Sequence, residues 1–342
     1  MPDVSIMWLP GGHLQTIVPA LVGRHLIQAS FWRRERIETP DGDFLDWDWL
    51  VADAEIRSNA PLWVLFHGLE GSSGSHYAAA LAWQAKAHGC GLVVIHFRGC
   101  SGHINRLPRA YHSGDHHEID WVLRAIKREH PLHPLVAVGI SLGGNALLCW
   151  AGVQQAAAEQ VVGAVLAVSP PLDLTVSGEA LGQGWNKMLY TPMFLRTMKQ
   201  KARDKWAQYP HLFDLHRANA ASTLREFDDA FTAPLHGFGS VERYWKEASA
   251  LPHLCDIQVP TCVINARNDP FVPAACLPVQ HQVSRSVSLV QPPTGGHVGF
   301  WKLAGADLCQ GACSGNQSLP MFLFDWVGQQ GGIIAEQEPS NG

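Results

Sequence analysis

Gly139-Ile140-Ser141-Leu142-Gly143 sets a serine between two glycines, just past the apolar run Leu135-Val136-Ala137-Val138 and at the head of a helix-like run over residues 143–153. A serine at a sharp strand-to-helix corner is held out from the backbone, and the helix N-terminus beside it favours negative charge. A nucleophile whose attack creates an oxyanion needs both. Its hydroxyl is nevertheless weak until a base takes the proton, and histidine has the pKa suited to that exchange. The chain has 18 histidines, so position has to select. Where a strand–turn–helix serine is the nucleophile, an acid and then the histidine follow it along the chain. Asp269, in Asn268-Asp269-Pro270-Phe271, follows the apolar run Cys262-Val263-Ile264-Asn265. His297, in Gly295-Gly296-His297-Val298-Gly299, follows Val287-Ser288-Leu289-Val290. The reading is therefore Ser141 as nucleophile, His297 as base and then acid, and Asp269 as the group that orients the imidazole. Asp173, just past the apolar run 161–168, is the second candidate for the acid.

The oxyanion of a tetrahedral intermediate needs two aimed N–H donors. One is the backbone N–H of Leu142. The other is expected from the loop after the first apolar strand, Phe66-His67-Gly68-Leu69-Glu70-Gly71, with the N–H of Leu69 as the candidate. His67 reads as a residue that positions this loop.

Such distant residues meet only if their segments end on one edge of a sheet. Strand-like apolar runs occur at 62–66, 91–96, 135–139, 161–168, 260–265 and 286–290. Helix-like runs occur at 77–88, 118–129, 143–153 and 319–327. Continuous apolar strands alternating with helices predict an α/β architecture, a mostly parallel sheet covered on both faces. Residues 172–250 break the rhythm: they are helical in character and rich in charges and aromatics. Residues 1–171 and 251–330 are expected to form one core, 172–250 a helical cap roofing the carboxyl ends of the strands, and 331–342 a polar tail.

Hydrophobic residues at 46% and charged residues at 16% suit a globular chain. The net charge of −5, with no basic cluster, argues against a nucleic-acid partner. The eight cysteines include no C-x-x-C pair and read mainly as buried thiols; Cys309 and Cys313, four apart, could pair or bind metal. No run of 18 apolar residues suggests a membrane span, and the first residues lack the pattern of a signal peptide, so the cytoplasm is the expected location. The apolar patches in residues 6–26 suit core packing, with weak contact to a membrane surface as the alternative. Asp115-His116-His117-Glu118 reads as a solvated helix start, with a metal site as the alternative.

With Pro10-Gly11-Gly12-His13-Leu14-Gln15-Thr16, the His67-Gly68-Leu69-Glu70-Gly71 loop, Phe97-Arg98-Gly99-Cys100-Ser101-Gly102, Tyr111-His112-Ser113-Gly114, the serine turn, Glu226-Phe227-Asp228-Asp229 and Pro234-Leu235-His236-Gly237-Phe238, the chain resembles the YheT-like branch of the α/β-hydrolase superfamily. The related eukaryotic ABHD proteins include esterases and phospholipases. The resemblance implies hydrolysis of carboxylic acyl esters with no metal or organic cofactor, acting on a small-molecule or lipid ester. Two alternatives stay open: a phospholipase or acyltransferase using the same serine, and a non-catalytic binding module on this scaffold. His13, Arg98 and His112 have no role that follows from the sequence. Arg98 would either bind an anionic substrate group or pair with an acid and hold its loop, and the second is favoured.

Overall fold

The computed structural model describes residues 9–22, 32–51, 59–300 and 318–330. Eight strands form one sheet: β1 (Trp32–Glu38), β2 (Phe44–Leu50), β3 (Leu62–Phe66), β4 (Gly91–His96), β5 (Leu135–Ile140), β6 (Ala164–Val168), β7 (Thr261–Ile264) and β8 (Val287–Val290). Their order is β1-β2-β4-β3-β5-β6-β7-β8. β1 and β2 pair antiparallel, as do β2 and β4, and every other pairing is parallel. The expected α/β architecture with a mostly parallel sheet is what the chain adopts.

Strands β3 to β6 are buried along their whole length, which is why they read as continuous apolar runs. Alternate residues face opposite sides. Val64 and Phe66 pack with α3 (His116–Glu129) and α4 (Leu142–Gln154), as seen in Ile119, Val122, Ala146 and Leu147. Trp63 and Leu65 pack with α2 (His76–His88) and α12 (Leu319–Gln329), where Trp63 stacks on Phe324 at 4.0 Å. The strand expected at 161–168 begins only at Ala164, because residues 155–160 form a 3-10 turn that carries the chain to it. An N-terminal helix, α1 (Gly11–Val22), is the described part of the apolar segment 6–26. Between β6 and β7 lie α5 (Leu174–Leu181), α6 (Gly184–Leu189), α7 (Thr191–Gln208), α8 (Leu215–Ala220), α9 (Leu224–Phe227), a π-helical turn Asp228–Thr232, α10 (Ala233–Leu235) and α11 (Val241–Glu247). Among the described residues no helix is long and apolar enough to cross a membrane. The described cysteines are free thiols; Cys90, Cys149 and Cys262 are buried, whereas Cys255 is exposed. Cys309, Cys313 and the tail 331–342 lie outside the described residues.

The antiparallel arm β1–β2 was not expected. β1 reads Trp-Arg-Arg-Glu-Arg-Ile-Glu at the sheet edge, and β2 carries Asp46 and Asp48, both buried. Register explains them: Arg36 stands opposite Asp46 and Arg34 opposite Asp48. Each arginine makes two bonds of 2.7 and 2.8 Å to its carboxylate. Asp48 also accepts from Ser73 Oγ at 2.5 Å and pairs with His96 Nε2 at 2.8 Å. Burial alone would raise the Asp48 carboxyl, but the bonds from Arg34, His96 and Ser73 outweigh it and hold it well below the usual carboxylate range. A depressed folded pKa contributes stability that is present above the unfolded value of about 3.9 and is lost as pH falls through the folded one. Asp48→Asn is therefore expected to cost about 3 kcal/mol or more at pH 7. The gap to wild type should narrow below about pH 4, as urea unfolding at several pH values would show.

Candidate active site

Ser141 is the residue before α4, with φ 51° and ψ −118°. Such a backbone is unusual for a residue with a Cβ. It is held by Ser141 N–H donating to Val168 O at 2.8 Å and by Asn145 N–H donating to Ser141 O at 3.0 Å. The glycines around it have no space for side chains. A Cβ on Gly139 would lie 2.5 Å from Gly143 O, and one on Gly143 would lie 2.5 Å from Phe66 O and 2.6 Å from His67 O. The end of β3 is thereby pressed onto the serine turn.

His297 Nε2 lies 2.9 Å from Ser141 Oγ, and His297 Nδ1 lies 2.8 Å from Asp269 Oδ2. The hydrogen-bond network assigns the proton to Nδ1, which donates to Asp269, and leaves Nε2 to accept from the serine hydroxyl. Asp269 Oδ1 accepts from the N–H groups of Phe271 at 2.8 Å and Val272 at 3.4 Å. Phe271 packs on the imidazole at 4.3 Å between ring centres. The structure brings Ser141, Asp269 and His297 together as one hydrogen-bonded row. Asp173, the second candidate, instead caps α5, accepting from Thr175 N–H and Val176 N–H at 2.9 and 3.1 Å.

The loop after β3 lies against the serine: a Cβ on Gly68 would be 3.2 Å from Ser141 Cβ. Three of its N–H groups already have partners. Gly68 donates to Tyr77 OH at 3.1 Å, Glu70 to Tyr111 OH at 3.1 Å, and Gly71 to Gly68 O at 2.9 Å. Leu69 N–H stands between those of Gly68 and Glu70, and Leu142 N–H is the first of a helix's four unpaired donors; both residues line one cleft with Ser141 and His297. Glu70, at φ 55°, is fixed by Tyr111 OH donating to its Oε1 at 2.6 Å and by Lys201 Nζ donating to it at 2.7 Å. His67 is fully buried, with Nδ1 donating to Gly68 O at 2.7 Å and Nε2 accepting from Phe97 N–H at 3.1 Å. Burial, helped by the nearby His96, pushes its pKa down to about 3. It is a neutral clamp on the loop, as its position at the end of β3 suggests.

The stretch 10–16 gains a role that sequence reasoning missed. Gln15 Oε1 accepts from Gly295 N–H and Asn268 Nδ2, each at 2.9 Å, and Thr16 Oγ1 accepts from His297 N–H at 2.8 Å. A Cβ on Gly12 would sit 1.9 Å from Asn268 O, and one on Gly299 would sit 1.8 Å from Gln15 O. α1 thus pins the acid turn and the histidine loop together. His13 stacks on Tyr190, which meets Phe271 edge-on at 4.6 Å. The segment packs on the site through Gly12, Gln15, Thr16 and Ile17, whereas Leu14, Leu21 and Val22 are exposed, so the core-packing expectation holds for one face of α1 only. Asn145, one turn into α4, is a second missed residue. It is buried and donates to Ser113 O, Ser113 Oγ and Ala248 O, and accepts from Ala250 N–H.

Arg98 is buried, with Nε donating to Glu118 Oε2 at 2.5 Å and Nη1 to Asp43 Oδ2 at 2.8 Å. It holds its loop to acids, as favoured. The helix start 115–118 differs from expectation. Asp115 and Glu118 are buried, not solvated: Asp115 caps α3 and pairs with Arg109, and Glu118 pairs with Arg98. Arg98, buried, and Arg109, partly exposed, supply the charge partners that a solvated start would not need. His112 is nearly buried, with its pKa pushed down to about 3 by burial, and packs against His236, Phe238 and Tyr244.

The cleft around Ser141 takes in about 1050 Å³ of space, open solvent at its mouth included. Its wall is mostly apolar, with Leu174, Leu181, Met198, Leu224, Phe227 and Phe231.

Residues 61–302 match the family model described as alpha/beta hydrolase fold. The chain is 39% identical over 290 residues to YheT of Escherichia coli (strain K12), covering 84% of each chain. It is 27% identical over 304 residues to the human phospholipase ABHD3, covering 86% of this chain and 72% of the relative. It is 27% identical over 313 residues to the human monoacylglycerol lipase ABHD2, covering 87% and 73%. Among solved structures, Est1E from Butyrivibrio proteoclasticus superposes with a TM-score of 0.52 at 15% identity, covering 87% of this chain and 98% of that one. The sheet order, the serine corner and these likenesses agree: the chain belongs to the α/β-hydrolase family, in its YheT-like branch.

Proposed function

We propose that the protein is a serine hydrolase of carboxylic acyl esters, working through an acyl-serine intermediate. The observation that carries this is the hydrogen-bonded row from Ser141 Oγ through His297 to Asp269. As Ser141 Oγ attacks the ester carbonyl, His297 Nε2 takes its proton and passes it to the leaving alcohol. Asp269 holds Nδ1–H and stabilises the imidazolium. The N–H groups of Leu69 and Leu142 receive the oxyanion. Water, activated by the same histidine, then releases the acid. Residues 172–250 act as a cap over this site, since Leu174 through Trp245 contribute much of the cleft wall. The long apolar wall favours esters with extended acyl chains, so a lipid-directed lipase or phospholipase activity is the second reading. Two relatives that carry such names lend it support.

The test is to trap the intermediate. Wild-type protein mixed with p-nitrophenyl butyrate or decanoate and quenched early should carry one acyl mass on the peptide containing Ser141. Turnover of these esters with the acyl group on another residue, or on none, would sink the mechanism.

Lys201 offers a further check, because it reaches from α7 to fix Glu70 beside the Leu69 donor. Losing one charge-assisted bond there should let the loop relax. Lys201→Met is expected to lower kcat about tenfold with a smaller change in KM, read from steady-state ester kinetics.

A further inference from the structure

The reaction proposed above leaves one polar part of the cleft unused. Asp228 opens the π-helical turn and lines the cleft with Phe231 and Thr232 of the same turn. π-helical turns are rare and frequent at functional sites. The neighbouring acids of the Glu226-Phe227-Asp228-Asp229 stretch face elsewhere: Glu226 accepts from Ser222 N–H, and Asp229 pairs with Arg217. Asp228 has only neutral partners, Thr232 Oγ1 donating to Oδ1 at 2.7 Å and Trp245 Nε1 to Oδ2 at 2.9 Å. Among the described residues no cation acts on it, and burial pushes its pKa up to about 6. A carboxylate can accept about four hydrogen bonds, so two positions remain. A second polar residue that lines the cleft is also short of a partner. Ser177 of α5 is 3% exposed, and its Oγ has no hydrogen-bond partner among the described residues.

We propose that Asp228 and Ser177 form a subsite for a free hydroxyl group, so that the preferred substrates are esters carrying a hydroxyl on the part lodged among the helices between β6 and β7. The inference rests on the esterase reading and narrows its substrate class. Asp228 needs a donor, while the Ser177 hydroxyl can serve as donor or acceptor; a ligand hydroxyl can donate to Asp228 and accept from Ser177 O–H, whereas an ammonium can only donate and leaves the serine proton without an acceptor. The charges of the cleft point the same way. Arg98 and Lys201 also line it but are paired with Glu118, Asp43 and Glu70, and Asp228 disfavours an anionic ligand. Lys205 is not a free anion site, since its Nζ donates to Asn105 O, Leu107 O and Gln208 Oε1. Leu174, Leu224, Phe227 and Phe231 line the same cleft. A few placed polar groups in an apolar pocket set orientation and selectivity.

The experiment compares kcat/KM for matched esters with and without a terminal hydroxyl. p-Nitrophenyl alkanoates and ω-hydroxyalkanoates of four to twelve carbons probe the acyl side. Butyrate esters of 1-octanol and 1,8-octanediol probe the alcohol side. Wild type is expected to prefer the hydroxylated member by about tenfold or more at one chain length. In Asp228→Asn and in Ser177→Ala that ratio should fall to near one, with thermal melts showing the fold retained. Ser177→Ala removes only an unpartnered oxygen and so remains informative if Asp228→Asn fails to fold. No preference at any length, or a preference that survives in Ser177→Ala and in any folded Asp228→Asn, overturns the subsite. If wild type hydrolyses no ester, the catalytic reading fails separately. Binding then decides the subsite: 1,8-octanediol should bind wild type about tenfold more tightly than 1-octanol, with the difference lost in Ser177→Ala, and equal binding overturns it.

Discussion

Ser141→Ala is expected to lower turnover of p-nitrophenyl esters by about 10⁴-fold or more and to abolish labelling by a fluorophosphonate. The argument is geometric. Ser141 Oγ is the oxygen 2.9 Å from His297 Nε2, and the loop after β3 lies against it. With that oxygen gone, the remaining groups can bind the ester but have no attacking atom. The fold should survive, because the turn is held by backbone bonds from Ser141 N–H and Asn145 N–H and not by the hydroxyl. A companion variant separates strain from chemistry. At φ 51° a Cβ is disfavoured, and glycine adopts such backbones without steric cost. Ser141→Gly should therefore melt at a higher temperature than Ser141→Ala, although both are inactive. Residual labelling of Ser141→Ala at the wild-type rate would place the nucleophile elsewhere and end the serine-hydrolase reading.

The parts of this fold legible in the sequence are those where one physical demand dominates. β3, β4, β5 and β6 are buried on both faces, so their residues are apolar without interruption, and each stops at the loop it feeds. Ser141, Asp269 and His297 follow strand ends, so chain order could single out three candidates that the structure hydrogen-bonds in one row. β1 and β2 were illegible because β1 is a charged, largely exposed edge strand and β2 buries two carboxylates. Asp46 and Asp48 look like solvent-facing residues until the register sets Arg36 and Arg34 opposite them. Asp115 and Glu118 misled for the same reason, their arginine partners being invisible in a local reading. The grip of Gln15 and Thr16 on the acid and histidine loops spans more than 250 residues of sequence, and no periodicity reports such a contact. The crowded stretch Pro10-Gly11-Gly12-His13 was its one trace, since Gly12 is required where the helix backbone touches Asn268. Asp228 lies in a π-helical turn, where neither the period of a helix nor that of a strand shows which way a side chain faces.

Asp269→Asn is expected to lower kcat by about 10⁴-fold while leaving the fold in place. Asp269 Oδ1 accepts from two backbone N–H groups, and Oδ2 accepts from His297 Nδ1–H. An asparagine keeps its oxygen on the backbone N–H pair and must then turn its NH₂ toward the imidazole. Two donors cannot share that contact, so His297 moves its proton to Nε2. In that tautomer it can no longer accept the proton of Ser141. The same change at Asp173 has a different consequence. Asp173 caps α5 through Oδ1, and asparagine caps a helix about as well as aspartate. Asp173→Asn should keep activity within about twofold of wild type, since the cap is preserved. The pair of variants, compared by single-turnover ester kinetics, distinguishes the two acids. A silent Asp269→Asn beside a disabled Asp173→Asn would move the orienting role to the end of β6, and the hydrogen bond from His297 to Asp269 would have to be broken in the working enzyme.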